Sequence, residues 1–285
     1  MSGLAGRQPA STSGGRITRW LVGAALLALA VLFFFPMAWM VMSSFKTNRA
    51  IFSSPFALPE SFDLGRWVQA WEVGNLGRYA LNSAIVMGAS VTLILLLAAA
   101  AAFAFSRYRF RGRGLALGLF ALGLLLPLQS YFIAQSNLFT QLAITDTRWA
   151  LIIPYTAMGL PLAVDLLKAF LDALPDELFE AARIDGAGDG RLFRHLAMPL
   201  LRPGLATVGI FSALAAWNEF LLALLYIQDD ELKTIPTGLL AFSSRYVTDY
   251  SLLFSALSIV TLPMIVIYVA FNRHIVDGIT AGSVK

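Results

Sequence analysis

Long stretches without a charged side chain restrict this chain more than any other feature. The stretch from Trp20 to Met42 contains no Asp, Glu, Lys or Arg, and neither does the stretch from Tyr79 to Phe105. Each is longer than the roughly 20 apolar residues that cross a lipid bilayer as a helix. Of all residues, 58% are hydrophobic and 13% are charged, which is the wrong balance for a soluble domain. The sequence therefore predicts an all-α integral membrane protein.

Six apolar segments divide the chain, with polar loops between them. We predict transmembrane helices over residues 20–42, 79–105, 115–133, 149–170, 204–227 and 252–271. Residues 1–15 are rich in Ser, Gly, Ala and Thr and are expected to form a disordered cytoplasmic tail, so residues 16–285 form one transmembrane domain. The small residues of Ala98–Ala102 predict close contact with another helix. Pro154 and Pro161 predict a kink in the fourth helix.

The basic residues predict the orientation of the chain. Six helices put both termini on one side, together with the loop between the second and third helices and the longer loop 172–203. That side holds most of the 21 Lys and Arg residues, and basic residues favour the cytoplasmic face. The basic residues predicted outside are Lys46, Arg49, Arg66, Arg78, Arg148, Lys233 and Arg245. The arginines from Arg107 to Arg113 belong to this signal, so nucleic-acid binding is not expected.

The polar loop 172–203 predicts a short amphipathic helix. Pro175 suits the first turn of a helix, and Asp176 and Glu177 place negative charge at the positive end of the helix dipole. Gly186 can adopt the left-handed conformation that ends a helix. The two faces would differ, with Leu178, Ala181 and Ala182 on one and Asp176, Glu180 and Arg183 on the other. Such a helix either lies at the membrane surface or docks into a cleft on a partner.

Motifs for cofactors and metals are missing or incomplete. None of the lysines follows the glycine-rich sequence that binds phosphates. The chain has no cysteine, and His195 and His274 are isolated, so no metal site is predicted. The glycines of Asp185–Gly190 match neither a calcium loop nor a dinucleotide fingerprint. No cofactor is expected, and if ATP drives this protein, another chain must bind it.

Two acidic residues lie within predicted membrane helices. Asp165 precedes Lys168 at a spacing that predicts a local ion pair. Glu219 follows Asn218 deeper in the fifth segment, where an ionisable side chain is costly unless it faces a cavity or a partner helix. Glu219, together with Asn218, is predicted to line a path through the membrane or a helix interface. Capping of a helix kink is the structural alternative for Glu219.

Residues of the loop 172–203 resemble a known motif. Glu180-Ala181-Ala182 is followed by Asp185-Gly186-Ala187 and then by Met198-Pro199-Leu200. This spaced pattern resembles the EAA loop of ATP-binding-cassette importer permeases, which is a coupling helix that sits in a groove of a cytoplasmic ATPase. The resemblance implies a coupling role for Glu180, Ala181, Ala182, Asp185 and Gly186.

Further phrases extend the resemblance over nearly the whole chain. They are Leu81-Asn82-Ser83, residues 105–112, residues 217–221, residues 234–239 and the ending Gly278–Lys285. Together they resemble carbohydrate permeases of the maltose and glycerol-phosphate type, most closely the smaller, six-span partner of the permease pair. Residues 133–135 and Asn272 depart from the family pattern, so substrate contacts are not carried over.

In that subfamily the C-terminal tail also contacts the ATPases. The implied contact residues here are Thr280, Ala281, Gly282, Ser283, Val284 and Lys285. The loop before the last span, here about Pro236 to Tyr246, would reach toward a binding protein.

The resemblance implies a permease subunit of a sugar importer in a bacterial or archaeal cytoplasmic membrane. Its implied partners are a homologous second permease, two cytoplasmic ATPases, an extracytoplasmic sugar-binding protein and the membrane lipid. ATP on the partner chains would drive alternating access, so this chain is not expected to be an enzyme. A di- or oligosaccharide is the expected cargo. An ion- or proton-coupled secondary transporter is the alternative, for which Glu219 is the residue that fits.

Overall fold

The computed structural model describes residues 13–127, 130–243, 248–262 and 264–265. These residues form a series of helices joined by short loops. In chain order the helices are α1 (Ser13–Ser43), α2 (Asn48–Ser53), α3 (Gly65–Val73), α4 (Leu76–Arg107), α5 (Arg113–Leu125), α6 (Phe132–Gln141), α7 (Trp149–Asp172), α8 (Asp176–Ile184), α9 (Asp189–Leu200), α10 (Arg202–Asn218), α11 (Leu221–Tyr226), α12 (Ile235–Gly238) and α13 (Tyr250–Leu262). The middle of α9, Leu192–Ala197, is π-helical.

Three of the described helices are long and apolar enough to cross a membrane. They are the Thr18–Ser43 part of α1, all of α4 and all of α7, and they coincide with the first, second and fourth predicted spans. A fourth crossing is present if α9 and α10, which meet at a bend of 72°, are one broken span. The helical membrane fold predicted from the sequence is confirmed to this extent.

The predicted third span, 115–133, is two helices in the structure. α5 ends at Leu125, and Leu126 adopts an extended ψ of 115° immediately before Pro127. Proline disfavours helical geometry in the residue before it and has no N–H to continue a helix. The chain becomes helical again only at Phe132. Apolar composition therefore continues where the helical backbone does not.

Neither of the last two predicted spans is one continuous helix over its whole predicted length among the described residues. Glu219 and Phe220 separate α10 from α11 within the predicted span 204–227. In the predicted span 252–271, α13 ends at Leu262, and residues beyond 265 lie outside the described residues. Residues 1–12 of the predicted tail also lie outside them. By contrast, α7 continues through Pro154 and Pro161 as one helix.

The main core lies between α4, α7 and α10. Ala98, Ala99 and Ala102 of α4 are completely buried, as the run of small residues predicts. Gly159 of α7 lies so close to α4 that an added Cβ would stand 2.4 Å from Cδ1 of Ile94. In lipid, such small residues let helices approach closely and gain dispersion contacts. This packing fixes α4 along α7.

The membrane-length part of α1 packs differently. None of its apolar window is buried by the rest of the described chain, and Trp20, Leu32 and Phe33 are largely exposed. This surface is suited to lipid or to another subunit.

Candidate functional site

The amphipathic helix predicted in the loop 172–203 corresponds to α8. Pro175 precedes its first residue, and Asp176 and Glu177 occupy its first turn. At its end, Gly186 has a φ of 81°, a left-handed conformation that glycine adopts without strain. The N–H of Gly186 donates to the carbonyl of Arg183 at 3.0 Å, and the N–H of Ala187 donates to that of Ala182 at 2.9 Å. These two bonds form a Schellman motif, which satisfies the last carbonyls of the helix.

Phe179 attaches α8 to the rest of the chain. Its side chain is buried, and its ring centroid lies 6.4 Å from that of Phe103 near the end of α4. Phe193 of α9 and Tyr108 complete this aromatic cluster, at 5.4 and 5.8 Å from Phe103. Burial, and then the carboxylate of Asp189, raises the pKa of the Tyr108 phenol. The sequence analysis did not single out Phe179, although it is the aromatic residue of α8.

Arg107, the last residue of α4, makes a second connection to α8. Its guanidinium carbon lies 3.9 Å from the ring centroid of Phe179, and Nη1 forms an ion pair with Asp176. Nη2 donates to the carbonyl of Leu171 at 2.5 Å and to that of Leu174 at 3.5 Å. The side chain of Arg107 is only 7% exposed. Since a buried guanidinium is costly without partners, this arginine has a structural role beyond the orientation signal expected of it.

The end of α7 is joined to α4 by a neighbouring carboxylate. Ser106 Oγ donates to Oδ1 of Asp172 at 2.6 Å, and Lys168 Nζ pairs with Oδ2 of Asp172 at 2.5 Å. The predicted ion pair between Asp165 and Lys168 is therefore wrong. An i,i+4 carboxylate competes for the lysine at the same helix end, and Asp165 is exposed.

The remaining face of α8 is free of the chain. Glu180, Ala181, Asp185 and Gly186 are exposed, whereas Ala182 is half-buried. Two apolar side chains share this exposed face: Leu178 is 44% exposed and Ile184 is 87% exposed. Leu178 and Ala181 are thus exposed and lie away from the core that holds Phe179.

Glu219 lies at the break between α10 and α11. Its Oε1 accepts from the N–H of Leu222 at 2.9 Å, and its Oε2 accepts from that of Ala223 at 3.2 Å. Oε2 also accepts from the hydroxyl of Tyr155 at 2.7 Å. The carboxylate therefore satisfies the first free N–H groups of α11, where negative charge is favoured. Kink capping, the structural alternative, is present in the structure.

A cavity of about 200 Å³ lies between α4, α7 and α10, and Glu219 is part of its wall. The other lining residues are mainly apolar and include Ile94, Tyr155, Gly159, Phe211 and Ser212. Asn218 is exposed, and its Nδ2 donates to the carbonyl of Leu214 at 2.8 Å. The structure thus brings Glu219 to a cavity and leaves Asn218 on the surface beside it.

Two phrases singled out in the sequence meet at the other end of α4. Asn82 Nδ2 donates to the carbonyls of Glu231 and Lys233 at 2.8 and 3.0 Å, and Asn82 Oδ1 accepts from Arg148 at 3.0 Å. Ser83 Oγ accepts from the N–H of Ile235 at 2.9 Å. We call these bonds from Asn82 and Ser83 the outer clasp. The sequence analysis noted both phrases but did not predict their contact.

Other predicted residues have no described arrangement. Thr280, Ala281, Gly282, Ser283, Val284, Lys285 and His274 lie outside the described residues. Within the described ranges, no group of three or more His, Asp or Glu side chains is placed to hold a metal ion.

Several membrane-length helices, a cavity between them and a separate amphipathic helix beyond their ends define a helical membrane permease. A family model described as "Binding-protein-dependent transport system inner membrane component" matches residues 94–280. The chain belongs to this family. It is therefore a transport subunit and not an enzyme, and an ion- or proton-coupled secondary transporter is not favoured.

Individual relatives agree with this assignment. The chain is 37% identical over 281 residues to the diacetylchitobiose uptake system permease protein NgcG of Streptomyces coelicolor, covering 97% of this chain and 92% of the relative. It is 33% identical to the trehalose/maltose transport system permease protein MalG of Thermococcus litoralis, covering 93% and 95%. These relatives confirm the predicted resemblance to carbohydrate permeases.

A solved structure has the same fold. It is the crystal structure of a bacterial ABC transporter involved in the import of the acidic polysaccharide alginate, and one of its chains superposes with a TM-score of 0.82. The match covers 93% of this chain and 99% of that chain at 18% sequence identity. At this identity the likeness supports the fold alone.

Proposed function

We propose that this chain is the smaller, six-span permease of an ATP-driven sugar importer, with α8 as its coupling helix. The arrangement of α8 is the observation that carries the proposal. One side is attached to α4 through Phe179 and Arg107, and the other side leaves Leu178, Ala181 and Ile184 uncovered. So short a helix is marginal in water by itself, and its exposed apolar side chains fit a cleft on another protein.

In this proposal, a cytoplasmic ATPase binds the exposed face of α8. ATP brings two such ATPases together and moves α8, and the membrane helices rearrange to open the transport path outward. Hydrolysis then returns them to the inward-facing state. The driving free energy is the difference in ATP affinity between the two states of the complex. The second ATPase would act on a homologous second permease.

The six-span topology extends the three membrane helices already described. α5 and the segment through α6 would supply the third crossing, α10 with α11 the fifth, and α13 with later residues the sixth. This topology puts both termini and α8 in the cytoplasm of a bacterial or archaeal cell, where ATP is available. The outer clasp would then lie on the extracytoplasmic side, where a sugar-binding protein arrives.

A di- or oligosaccharide is the substrate class that we infer. The names of the two relatives refer to diacetylchitobiose and to trehalose and maltose, which are all disaccharides. We also propose that Asn218 and Glu219 contribute to the transport path or to the interface with the second permease, because Glu219 lines the cavity and Asn218 is exposed beside it.

Two further contacts follow from the family resemblance. The tail from Thr280 to Lys285 would bind the ATPases together with α8. The segment from Pro236 to Tyr246 would reach toward the binding protein, and the outer clasp holds the residues just before it.

Purification of the tagged chain in a gentle detergent tests the proposal. We expect a second permease and an ATPase to co-purify, and we expect membranes with the complex to take up labelled disaccharide only with ATP. Glu180→Lys and Gly186→Pro should remove the ATPase while the chain still inserts, since proline cannot adopt the φ of Gly186. Glu60→Lys, at an exposed carboxylate predicted on the opposite side, is the matched control and should retain it.

Two results would contradict this proposal. Recovery of this chain alone, with sugar transport in liposomes that needs no nucleotide, would show that the proposed function is wrong. Normal uptake by both α8 variants would remove the coupling role from α8.

A further inference from the structure

Helix α4 is bound at both ends by parts of the chain that are distant in sequence. It contains 32 residues from Leu76 to Arg107, which corresponds to a length of about 48 Å. Its sequence has no proline, the commonest cause of a sharp kink. A continuous helix of this length can carry a displacement from one side of a membrane to the other.

The inner end of α4 is connected to α8 by several kinds of contact. Arg107 combines the ion pair with Asp176, the cation–π contact with Phe179 and hydrogen bonds to the carbonyls of Leu171 in α7 and Leu174 in the α7–α8 connection. We call this set of contacts the inner clamp. Because the planar guanidinium makes all of them at once, α8 cannot move relative to α4 without breaking several together.

The outer end of α4 is connected to the segment before α12. The outer clasp fixes the carbonyls of Glu231 and Lys233 and the N–H of Ile235. In addition, Gly238 lies against Tyr79 of α4, where an added Cβ would be 2.1 Å from the ring. This segment is therefore positioned by α4 largely at its backbone, and the ion pair between Arg78 of α4 and Glu231 adds a side-chain contact.

Between its two ends, α4 is packed along α7. The fully buried alanines Ala98, Ala99 and Ala102 and the close approach of Ile94 to Gly159 hold this part of α4 closely against α7. Close-packed interiors transmit strain and do not absorb it.

We propose that α4 transmits movement between α8 and the extracytoplasmic segment 231–238, with Arg107 and Ser83 as positioning residues at its two ends. This inference rests on the proposed function, because it assigns the route by which an ATPase at α8 and a binding protein outside affect each other. Arrival of the loaded binding protein shifts segment 231–238, α4 follows, and the inner clamp moves α8 and the ATPase bound to it.

Single substitutions test each end in the complete complex of both permeases and ATPases, reconstituted in lipid. The readout is the factor by which the sugar-loaded binding protein stimulates ATP hydrolysis. Arg107→Gln and Ser83→Ala should each reduce this factor by roughly 5-fold or more, as loss of a coupling between two sites does. Hydrolysis without binding protein should remain close to wild type. A merely structural role would instead lower complex yield and both rates together.

Each substitution has a matched control in the chain. Arg109→Gln removes an arginine from the same loop, but Arg109 is exposed and has no ion pair among the described residues. Ser90→Ala removes a buried hydroxyl from α4 that has no hydrogen-bond partner within the described ranges. Both controls should retain the wild-type stimulation factor.

A double substitution tests whether the two ends share one route. We expect Arg107→Lys, which keeps the charge but loses the planar fork, to give an intermediate factor, so that a further loss is measurable. If α4 connects the two ends, adding Ser83→Ala to Arg107→Lys should reduce the factor far less than the product of the single effects. Effects that multiply would show two independent sites and overturn the proposal.

The remaining outcomes are also decisive. Wild-type stimulation in Arg107→Lys and Ser83→Ala overturns the proposal even if Arg107→Gln fails to assemble. If the wild-type complex transports normally and these variants transport equally well, only the role of α4 is refuted and the proposed function stands. If the wild-type chain assembles with no ATPase and shows no transport, the proposed function is refuted instead.

Discussion

Arg107 and Glu219 are charged residues at helix ends, and each satisfies several groups at once. Arg107 binds a carboxylate, two carbonyls and an aromatic ring. Glu219 binds two backbone N–H groups and the hydroxyl of Tyr155. At the edge of a membrane, where unsatisfied polar groups are costly, one ionised side chain can thus replace the hydrogen bonds that a helix lacks at its end.

At this residue scale, we expect Glu219→Gln to destabilise the chain. The amide oxygen can keep one N–H bond, but the negative charge at the start of α11 is lost. The expected cost is about 1–2 kcal/mol, which would appear as a lower aggregation temperature of the purified complex. Glu60→Gln, at an exposed carboxylate, should leave that temperature unchanged. An unchanged temperature in Glu219→Gln would mean that Glu219 does not stabilise this break.

The sequence predicted where charged and helix-ending residues matter better than it predicted which side chains contact each other. The acidic first turn of α8 and the left-handed Gly186 follow from local rules of helix ends, and the cost of an ionisable side chain within a membrane singled out Glu219. The partners of Arg107 do not, because they lie in the stretch 171–179, at least 64 residues further along the chain, and only the fold brings that stretch to the end of α4. Lys168 shows the same limit. Asp165 and Asp172 both lie at helical spacing from Lys168, and the ion pair forms with Asp172.

At the scale of elements, apolar length identified where helices lie but not where they break. The first, second and fourth spans were found because composition and backbone continuity coincide in them. The third and fifth are each interrupted in the structure, since Pro127 and Glu219 break the helical backbone without interrupting the apolar pattern. The 72° bend between α9 and α10 also lies outside what hydropathy records.

The contact between α4 and α7 yields a prediction at this scale. Gly159→Ala should separate the two helices, because the new Cβ would stand 2.4 Å from Cδ1 of Ile94. The expected loss is about 1–3 kcal/mol of stability, measured as the aggregation temperature of the purified complex. Ile94→Val removes that Cδ1 atom and should restore part of the loss.

Gly88 provides the control for this prediction. An added Cβ at Gly88 would meet nothing within 4 Å, so Gly88→Ala should be neutral or slightly stabilising. A loss in Gly88→Ala as large as that in Gly159→Ala would argue against a specific contact at Ile94.

At the scale of the whole molecule, the prediction concerns topology. The chain has no cysteine, so single introduced cysteines report sidedness without background. In intact spheroplasts, we expect a membrane-impermeant maleimide to label Glu60→Cys but not Arg191→Cys or Ser283→Cys. The last two should react after permeabilisation, because six spans and the excess of basic residues place them in the cytoplasm.

Two outcomes would contradict this topology. Labelling of Arg191→Cys in intact spheroplasts would put α9 outside the cell, away from ATP. Labelling of Ser283→Cys without labelling of Arg191→Cys would show an odd number of crossings between these two positions, most directly a chain in which α13 and later residues do not complete a span. The unsubstituted chain should remain unlabelled throughout.

The outer clasp also sets an order of events during biosynthesis. Asn82 and Glu231 are 149 residues apart, and a ribosome adds about 5–20 residues per second. Asn82 and Ser83 are therefore in place for about 8–30 s before residues 231–235 exist. Arg148, only 66 residues beyond Asn82, is the first partner of the outer clasp to be made. A late part of the chain thus completes the contacts at one end of an early helix.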